Sequence, residues 1–514
     1  MTTAHPYRVA LTASLALFLV ILDNTIVNVA MVPISHALRE DLGAVQWVIT
    51  AYFLAQASVI PIAGYLSHRV GIKQLSLICL ALFGLSSILC GLARTNSALI
   101  LFRVIQGVSG GALLPLSQAI TFSVFSGPDR TKATSIIMVP VLIAPAFGPT
   151  LGGWLTQHFG WEMIFFVNVP VVLVALFLSW KIFPEDLPAS EAALRHKFDY
   201  LGLFLCISGV LAVTYAFTLV GQVESATIDV LHPHGVPNGW LAPVVWEFFV
   251  YGLLVLTAFA YREWVVSPEP VLDLHLLRRY EFALASLIAW INAGIFFGSM
   301  FLLPVFLQQV MAKPLSPLEA GLVLMPQGVG AAIAVVSCGL LYKRLGVRWL
   351  GATGALLLAL SAWQISREAA TTNGWSLVPW IFIRGLGFGA TFQLMQAKAM
   401  ESVSNLALPK ASSLFNVMRQ IFSSIGLAVI VTLQLQLTST HMTGWLRDNA
   451  ATGSTASGQT WAGVAAFHDI FIGVAIGSVL LFLLTLMLPQ HIKISESPVV
   501  IRAIEEREGQ PVGS

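Results

Sequence analysis

The sequence predicts an all-α polytopic membrane protein, and two observations lead to that class. The chain has 514 residues, of which 57% are hydrophobic and 10% are charged, whereas a soluble domain carries about 25% charged residues. Apolar runs of about 20 residues, the length that a helix needs to cross a bilayer, recur along the chain. The formal net charge is only +2, which argues against nucleic acid as a partner.

Fourteen apolar runs bounded by charged residues, Gly, Pro or Asn are candidate membrane spans. The seventh and eighth are the weakest, because Pro243 and Trp246-Glu247 begin the eighth run, and a twelve-span chain would lack this pair. The runs lie near residues 9–33, 46–66, 74–93, 98–124, 133–156, 162–182, 200–220, 243–264, 283–309, 318–342, 348–366, 375–397, 411–437 and 466–489.

The distribution of basic residues predicts the orientation. An even number of spans places both termini on one side, and that side collects 19 of the 27 Lys and Arg residues against five on the other. Cytoplasmic loops carry the excess of Lys and Arg. We therefore expect a multi-pass protein of the plasma (inner) membrane with both termini in the cytoplasm.

Two loops on the opposite side are long, at 221–242 and 438–465, and are rich in Gly, Pro, Ser or Thr. We expect both to be solvated loops or surfaces for a partner outside the membrane. His232 and His234 have no third ligand nearby, and the four cysteines lie in apolar runs without metal-binding spacing, so neither a metal site nor a cofactor is predicted.

The first span contains a carboxylate, Asp23, in the middle of an apolar run. An ionised Asp at the centre of a bilayer costs about 2.5–3.5 kcal/mol on insertion scales, and protonation removes most of that cost. Acids inside the membrane commonly mark ion pathways. Asp23 is therefore the candidate proton-coupling group of a transporter; the alternative is a structural Asp that is paired permanently with an Arg or caps a broken helix.

The two halves of the chain echo each other. The end of the second span, 64–73, resembles the end of the tenth, 339–348, and the run from Arg103 to Gly111 resembles that from Arg384 to Gly389. Both echoes are eight spans apart, as expected for two six-span repeats with two spans between them. The predicted domains are a bundle at 1–183, a central region with two extra spans at 184–282, a second bundle at 283–489 and a cytoplasmic tail at 490–514.

These residues resemble the major facilitator superfamily, and within it the fourteen-span drug:proton antiporter family (EmrB- and QacA-like). The string Leu-Asp-Asn-Thr-Ile-Val-Asn-Val-Ala at 22–30 is similar to that family's signature in the first span. The resemblance implies the major facilitator fold, with two six-helix bundles plus two extra central helices, and a role for Asp23 as the embedded acid.

Arg103 resembles the superfamily's R-x-x-Q-G element in the fourth span. An Arg cannot release its proton, so its burial requires a partner, and Asp23 is the natural candidate. Protonation of Asp23 would release Arg103 during the transport cycle. A permanent pair that only stabilises the fold is the competing interpretation.

Two further motifs carry the resemblance. The fifth span contains a sequence similar to the antiporter motif G-x-x-x-G-P-x-x-G-G, with Ala144 at the first Gly, and the second loop is similar to the gating loop, with His68 at the acid. Small residues permit close helix packing, and prolines bend a span. The predicted antiporter-motif residues are Pro145, Gly148, Pro149, Gly152 and Gly153. The predicted gating-loop residues are Gly64, His68, Arg69, Gly71 and Lys73.

The resemblance implies proton-coupled efflux of amphiphilic drugs or toxic organic compounds by alternating access, with a periplasmic adaptor and an outer-membrane channel as possible partners. Polar and aromatic residues inside the spans are candidates for contact with substrate, although each could equally be a helix-packing group. They are Asn24, Asn28, Gln56, Gln118, Asn292, Phe296, Gln393 and Asn416. The alternatives are an exporter of one metabolite or siderophore and, from another class, a membrane-embedded transferase.

Overall fold

The computed structural model describes residues 6–125, 130–184, 199–221, 238–267, 270–368, 373–404, 407–448 and 455–489. Within these ranges every regular element is helical. This is expected of spans in lipid, because only a helix satisfies all its backbone hydrogen bonds within one segment. The first helices are α1 Pro6–Leu38, α2 Trp47–Val70, α3 Ile72–Gly91, α4 Asn96–Val124, α5 Arg130–Phe159, α6 Asn168–Ile182 and α7 Tyr200–Gly221. The others are α8 Pro243–Tyr261, α9 Tyr280–Val305, α10 Pro317–Leu341, α11 Leu345–Ile365, α12 Val378–Glu401, α13 Leu408–Asp448 and α14 Thr455–Leu486.

The predicted fold class and set of spans are confirmed. Thirteen helices in the described part of the chain are long and apolar enough to cross a membrane, and α5, which covers the predicted span 133–156, completes the set. The uncertain pair, α7 and α8, is present. The two helices pack closely, since Gly209 of α7 lies against Leu256 and Gly252 of α8 lies against Val213.

One predicted loop is wrong. The segment 438–465 was expected to be solvated loop, but α13 continues to Asp448 and α14 begins at Thr455. The polar extensions are held together by side chains: His441 Nε2 lies 2.8 Å from Asp469 Oδ2, and Gly458 leaves room for the ring of Trp445. These contacts extend two helices beyond their apolar parts. The other predicted loop, 221–242, lies largely outside the described residues.

Helix ends follow local sequence signals. Thr95 caps α4 by accepting a hydrogen bond from the Ala98 amide, and Ser316 with Glu319 forms a capping box at the start of α10. The echoed loops also have the same backbone turn. Gly71 before α3 and Gly346 near the start of α11 both have positive φ, at 98° and 73°, a conformation that favours glycine.

The two helical bundles meet on one side of the molecule. We call the side where α1 begins the first side and the side where α1 ends the second side. On the second side, Thr150 Oγ1 of α5 donates to the Gly321 carbonyl of α10 at 3.3 Å, and Gln308 Nε2 donates to the Val29 carbonyl of α1 at 3.0 Å. These contacts hold the bundles together at the second side. The assignment of residues 1–183, 184–282, 283–489 and 490–514 to separate domains stays a prediction, and the tail lies outside the described residues.

Candidate functional site: a buried ion pair and the seam beside it

Asp23 lies near the middle of α1 and is completely buried. Its Oδ2 accepts a hydrogen bond from Arg103 Nη1 at 2.5 Å, and its Oδ1 accepts from Gln106 Nε2 at 3.1 Å and from Asn168 Nδ2 at 2.9 Å. Gln106 Nε2 and Asn168 Nδ2 both also donate to Ser87 Oγ. Four helices therefore supply the groups that surround one carboxylate, and three donors satisfy it.

Arg103 is as deeply buried as its partner. Its Nε donates to the Val48 carbonyl at 3.0 Å, and its guanidinium carbon lies 4.0 Å from the centroid of the Tyr52 ring and 5.8 Å from that of Phe165. Its Nη2 has no hydrogen-bond partner among the described residues. A buried guanidinium with one unused nitrogen can exchange partners without moving far.

The antiporter motif packs directly against the helix that carries Asp23. A side chain at Gly148 would collide with Thr25 Oγ1, and a Cβ at Gly152 would lie 2.7 Å from the Ile26 carbonyl oxygen. Only glycine permits this approach of α5 to α1. Thr25 and Ile26 follow Asp23 by two and three residues, so α5 contacts the turn of α1 that begins at the carboxylate.

The opposite face of the same motif contacts the other bundle. Gly153 lies against the Pro317 carbonyl, and Gly321 of α10 lies against the Pro149 carbonyl. Farther along, Gly328 lies against the backbone of Pro145. The α5 helix is therefore packed between α1 and α10, with almost no side chain separating three backbones.

The gating-loop residues lie at the first side, where α2 ends and α3 begins. The Arg69 guanidinium lies 4.8 Å above the Tyr65 ring of its own helix. Gly64 has no atom within 4 Å of the position that a Cβ would take. Lys73 lies in the first turn of α3, and the side chain of His68 lies outside the described residues. The structure thus places this loop away from the packed second side.

The second bundle contains an arginine in an equivalent place, Arg384 of α12, with 1% of its surface exposed. Its acceptors are Gln327 Oε1, Ser299 Oγ and, at 3.0 Å, the Phe296 carbonyl. All three are neutral. No carboxylate pairs with Arg384 among the described residues, in contrast to Arg103.

The polar candidates in the first bundle have varied surroundings. Asn28 Nδ2 donates to the Asn24 carbonyl within α1 at 2.8 Å, as a helix-packing amide would. Gln56 Oε1 accepts from Gln420 Nε2 of α13 at 2.8 Å, so this amide joins the two bundles. Gln118 is exposed. Only Gln56 therefore lies in a seam between bundles.

The candidates in the second bundle divide similarly. Asn292 is completely buried, and neither polar atom of its side chain has a partner among the described residues. Phe296 stacks on Phe388 with 3.6 Å between ring centroids. Gln393 is half-buried, and Asn416 donates to a carbonyl of its own helix. Within the described ranges, Asn292 therefore has unpartnered polar atoms, as do Asn24 at its Oδ1 and Gln56 at its Nε2, whereas the ring of Phe296 is already stacked.

Sequence reasoning missed a second buried carboxylate. Glu263, at the end of α8, is completely buried. Its Oε2 accepts from the Leu272 amide at 3.1 Å, and its Oε1 has no described partner. Nearby, Asp199 pairs with Arg262 at 2.9 Å. The sequence signal was the acid directly after Arg262 at a span end, which looks like an ordinary interfacial charge.

The described residues also form an apolar cavity away from Asp23, but no metal cluster. A small apolar cavity lies between α2, α7 and α13, lined among others by Leu54, Cys206 and Val417. No predicted substrate residue lines it. No group of three His, Cys, Asp or Glu in these ranges could hold a metal ion, and His232 and His234 lie outside them.

Comparison with known proteins gives consistent relatives. The family model described as Major Facilitator Superfamily matches residues 13–427. The Multidrug resistance protein B homolog of Mycobacterium tuberculosis is 32% identical over 85% of this chain and 78% of its own length. The Multidrug export protein EmrB of Haemophilus influenzae is 30% identical over 84% of this chain and 81% of its own length.

The fold has solved counterparts. The crystal structure of a bacterial homologue of the human lysosomal transporter Spinster, in an inward-facing and unoccupied conformation, superposes with a TM-score of 0.62. It covers 94% of this chain and 97% of that chain, at 18% sequence identity. At this identity the likeness concerns the fold alone.

Proposed function

This chain belongs to the major facilitator superfamily, and on that premise we propose that it exports amphiphilic drugs or toxic organic compounds in exchange for protons. The two relatives described above carry names of multidrug export or resistance proteins. The observation that supports proton coupling most directly is the buried carboxylate of Asp23, held by Arg103 at 2.5 Å in the middle of a span.

The packing around Asp23 connects its protonation to the contact between α5 and α10, which we call the seam. Protonation removes the negative charge that Arg103 neutralises, so the Coulomb attraction between α1 and α4 falls. The unused Nη2 of Arg103 then allows the guanidinium to bind other acceptors. A shift of α1 would displace α5, because α5 contacts α1 at Gly148 and Gly152. The displacement of α5 would in turn move α10, which contacts α5 at Gly321. Packed backbones of this kind exchange between discrete arrangements.

The conformation fits one half of an alternating-access cycle. The distribution of Lys and Arg supports a cytoplasmic location for both termini, which makes the second side periplasmic. The bundles are joined there by the Thr150–Gly321 and Gln308–Val29 hydrogen bonds. In this proposal the structure is closed to the periplasm, and proton entry from that side follows opening of the α5–α10 seam.

Two finer points belong to the same proposal. The chain acts as a transporter and not as an enzyme, since the buried acid lies among helix-packing groups and not in an interfacial cluster of His and acids. A periplasmic adaptor and an outer-membrane channel are partners to test, with the second-side extensions of α13 and α14 as the available surface. An exporter of one metabolite or siderophore is the alternative that retains Asp23 and Arg103.

The test measures export of a fluorescent dye as its gradient-driven uptake into inverted membrane vesicles, whose cytoplasmic face is outside. Wild type is compared with Asp23→Asn under an imposed pH gradient. Asp41→Asn is the matched control, because Asp41 is an exposed helix cap and Asn caps equally well. We expect gradient-driven efflux in wild type and Asp41→Asn, and its loss in an Asp23→Asn protein that is still inserted.

Equal gradient-driven efflux by wild type and Asp23→Asn would exclude Asp23 as the proton site. If wild type moves no dye under any gradient, the multidrug assignment fails and the narrow-substrate exporter becomes the better hypothesis. Collapse of the gradient during the assay separates coupled movement from passive leakage of the dye.

A further inference from the structure

The second bundle holds two arginines that no described carboxylate neutralises. Arg384 of α12 is 1% exposed, and Arg419 of α13 is half-buried. Arg keeps its charge under all physiological conditions. A cation inside a membrane protein is costly unless it is paired. Two such cations in one bundle therefore favour the binding of a negatively charged ligand.

Neutral groups orient Arg384 without cancelling its charge. Its partners are an amide oxygen, a hydroxyl and a backbone carbonyl, from Gln327, Ser299 and Phe296. The guanidinium carbon also lies 4.7 Å from the centroid of the Phe296 ring. Arg384 is therefore fixed in position, and it acts as a source of positive potential in a region of low dielectric constant.

Arg419 has capacity that Arg384 lacks. Its Nε is buried and has no hydrogen-bond partner among the described residues. Its guanidinium carbon lies 5.8 Å from the centroid of the Phe392 ring, close enough for a weak cation–π contact. The side chain is only half-buried, so its fork of donors is available to a ligand.

An aromatic surface connects the two cations. Phe296 and Phe388 stack with centroids 3.6 Å apart and an angle of 13°, and Phe388 and Phe392 stack at 5.6 Å and 17°. We call these three rings the aromatic ladder. Phe388 and Phe392 are half-buried, and flat apolar rings of this kind accept a hydrophobic body without fixed geometry.

We propose that the aromatic ladder and Arg419 form a binding site for anionic amphiphiles that carry a carboxylate or sulfonate. The apolar body packs on Phe388 and Phe392, the anionic group accepts hydrogen bonds from the Arg419 guanidinium, and Arg384 adds fixed positive potential. This inference rests on the proposed export function, for which it supplies a substrate class.

The charges in the other bundle point the same way. A cationic drug would need a negative group, and the embedded acid Asp23 is completely buried with both oxygens already bound by Arg103, Gln106 and Asn168. At the aromatic ladder the same drug would meet two uncompensated positive charges. Like charges at short range in a poorly solvated site cost several kcal/mol, which disfavours a cation there.

The experiment measures equilibrium binding to the full chain in lipid nanodiscs, without a pH gradient. The probes are 4-(1-pyrenyl)butyrate and its methyl ester, which share one aromatic body and differ in charge. Arg419→Gln is compared with wild type. Arg367→Gln is the matched control, because Arg367 is exposed and also lies over an aromatic ring, 5.0 Å from the Trp363 centroid.

We expect Arg419→Gln to raise the Kd for the carboxylate about tenfold or more, as loss of a charge-assisted hydrogen bond should, with little change for the ester. Arg419→Lys keeps the charge but not the planar guanidinium, so its Kd for the carboxylate should lie between those of wild type and Arg419→Gln. Arg367→Gln should bind both probes as wild type does. If Arg419→Gln unfolds, the Arg419→Lys comparison decides.

Equal weakening of carboxylate and ester binding in either Arg419 variant, or a wild type that binds the two probes equally, overturns the inference. Such a result leaves gradient-driven dye efflux untouched, because no gradient and no Asp23 variant enters this measurement. If the protein binds the carboxylate selectively but fails the efflux test, the binding site is supported and the proposed export function is contradicted.

Discussion

The two bundles place an arginine at corresponding positions and surround it with the same packing but with different charge. One turn from Arg103, a Cβ at Gly107 of α4 would lie 2.6 Å from the Tyr52 carbonyl oxygen of α2. Next to Arg384, a Cβ at Gly389 of α12 would lie 2.6 Å from the Ala331 carbonyl of α10. Glycine thus brings the equivalent helices together in each half.

The charges do not follow this symmetry. Arg103 is neutralised by a carboxylate at 2.5 Å, whereas the partners of Arg384 are neutral amide, hydroxyl and carbonyl oxygens. Of these groups, only the carboxylate can change its charge when a proton arrives, because Arg stays protonated. In the proposed mechanism the first bundle therefore carries the group that a proton can switch, and the second carries a permanent positive charge, so that proton and substrate act in different halves of one scaffold.

The largest effect should come from removing the arginine of the charged pair. Arg103→Met leaves Asp23 buried without its counter-ion, which costs about 3–5 kcal/mol when a buried pair is broken. Arg384→Met leaves only neutral acceptors unpaired, at about 1–3 kcal/mol. Thermal unfolding in detergent should place Arg103→Met well below Arg384→Met.

The double variant Asp23→Asn/Arg103→Met sharpens this prediction. It removes both charges, so most of the lost stability should return while gradient-driven efflux stays absent. Equal melting temperatures for Arg103→Met and Arg384→Met would mean that charge pairing contributes little, and the comparison between the bundles would then concern packing alone.

The second effect tests whether the seam is mechanically tied to Asp23. Gly148→Val places branched carbons where Thr25 Oγ1 already lies, and overpacking of this kind costs about 1–3 kcal/mol. We expect a correctly inserted protein with strongly reduced efflux. Gly473→Val of α14 is the control, since nothing lies within 4 Å of a Cβ there. Normal efflux by Gly148→Val would disconnect α5 from the transport step.

The contrast between the bundles was only partly readable from the sequence. An acid in an apolar run identifies Asp23, and an Arg in another identifies Arg103, because burial of charge is costly wherever it occurs. The other donors, Gln106 and Asn168, are ordinary amides within spans, and only the relative rotation of four helices brings them to one carboxylate. Periodicity does not fix that rotation.

Two errors have the same origin. The helical extension of α13 past residue 437 was expected to be loop because its residues are polar, but packing against α14 stabilises helix where composition does not. The burial of Glu263 was missed, because the amide that binds its carboxylate belongs to Leu272, nine residues later in the chain. Tertiary contacts decide both cases.

A smaller effect should follow from the amide pair that joins the bundles. Gln420→Leu removes the 2.8 Å hydrogen bond to Gln56, and such bonds between membrane helices contribute about 0.6 kcal/mol on average. Distance measurements between spin labels on the two bundles should show a shift of about threefold toward the conformation with separated bundles. An unchanged distance distribution would assign the closed second side to the other contacts between the bundles, Thr150–Gly321 and Gln308–Val29.

The smallest effect concerns the ion pair between Asp199 and Arg262, at the ends of the two extra central helices α7 and α8. It contrasts with the fully buried pair of Asp23 and Arg103. Asp199 accepts from Arg262 at 2.9 Å, but the Arg262 side chain is 29% exposed, so the pair should contribute under about 1 kcal/mol. Burial alone would raise the pKa of Asp199, but hydrogen bonds from Arg262 and from the Gly202 amide more than offset it and lower that pKa.

A lowered pKa in the folded protein means that ionised Asp199 stabilises the fold above the ordinary Asp pKa of about 4. This contribution is lost as the pH falls through the lowered value. Asp199→Asn should therefore have a slightly lower melting temperature than wild type at neutral pH. This gap in melting temperature should close under acid conditions. Asp41→Asn, an exposed cap, should show no gap at either pH. A melting-temperature difference that is independent of pH would mean that Asp199 acts through hydrogen-bond geometry and not through its charge.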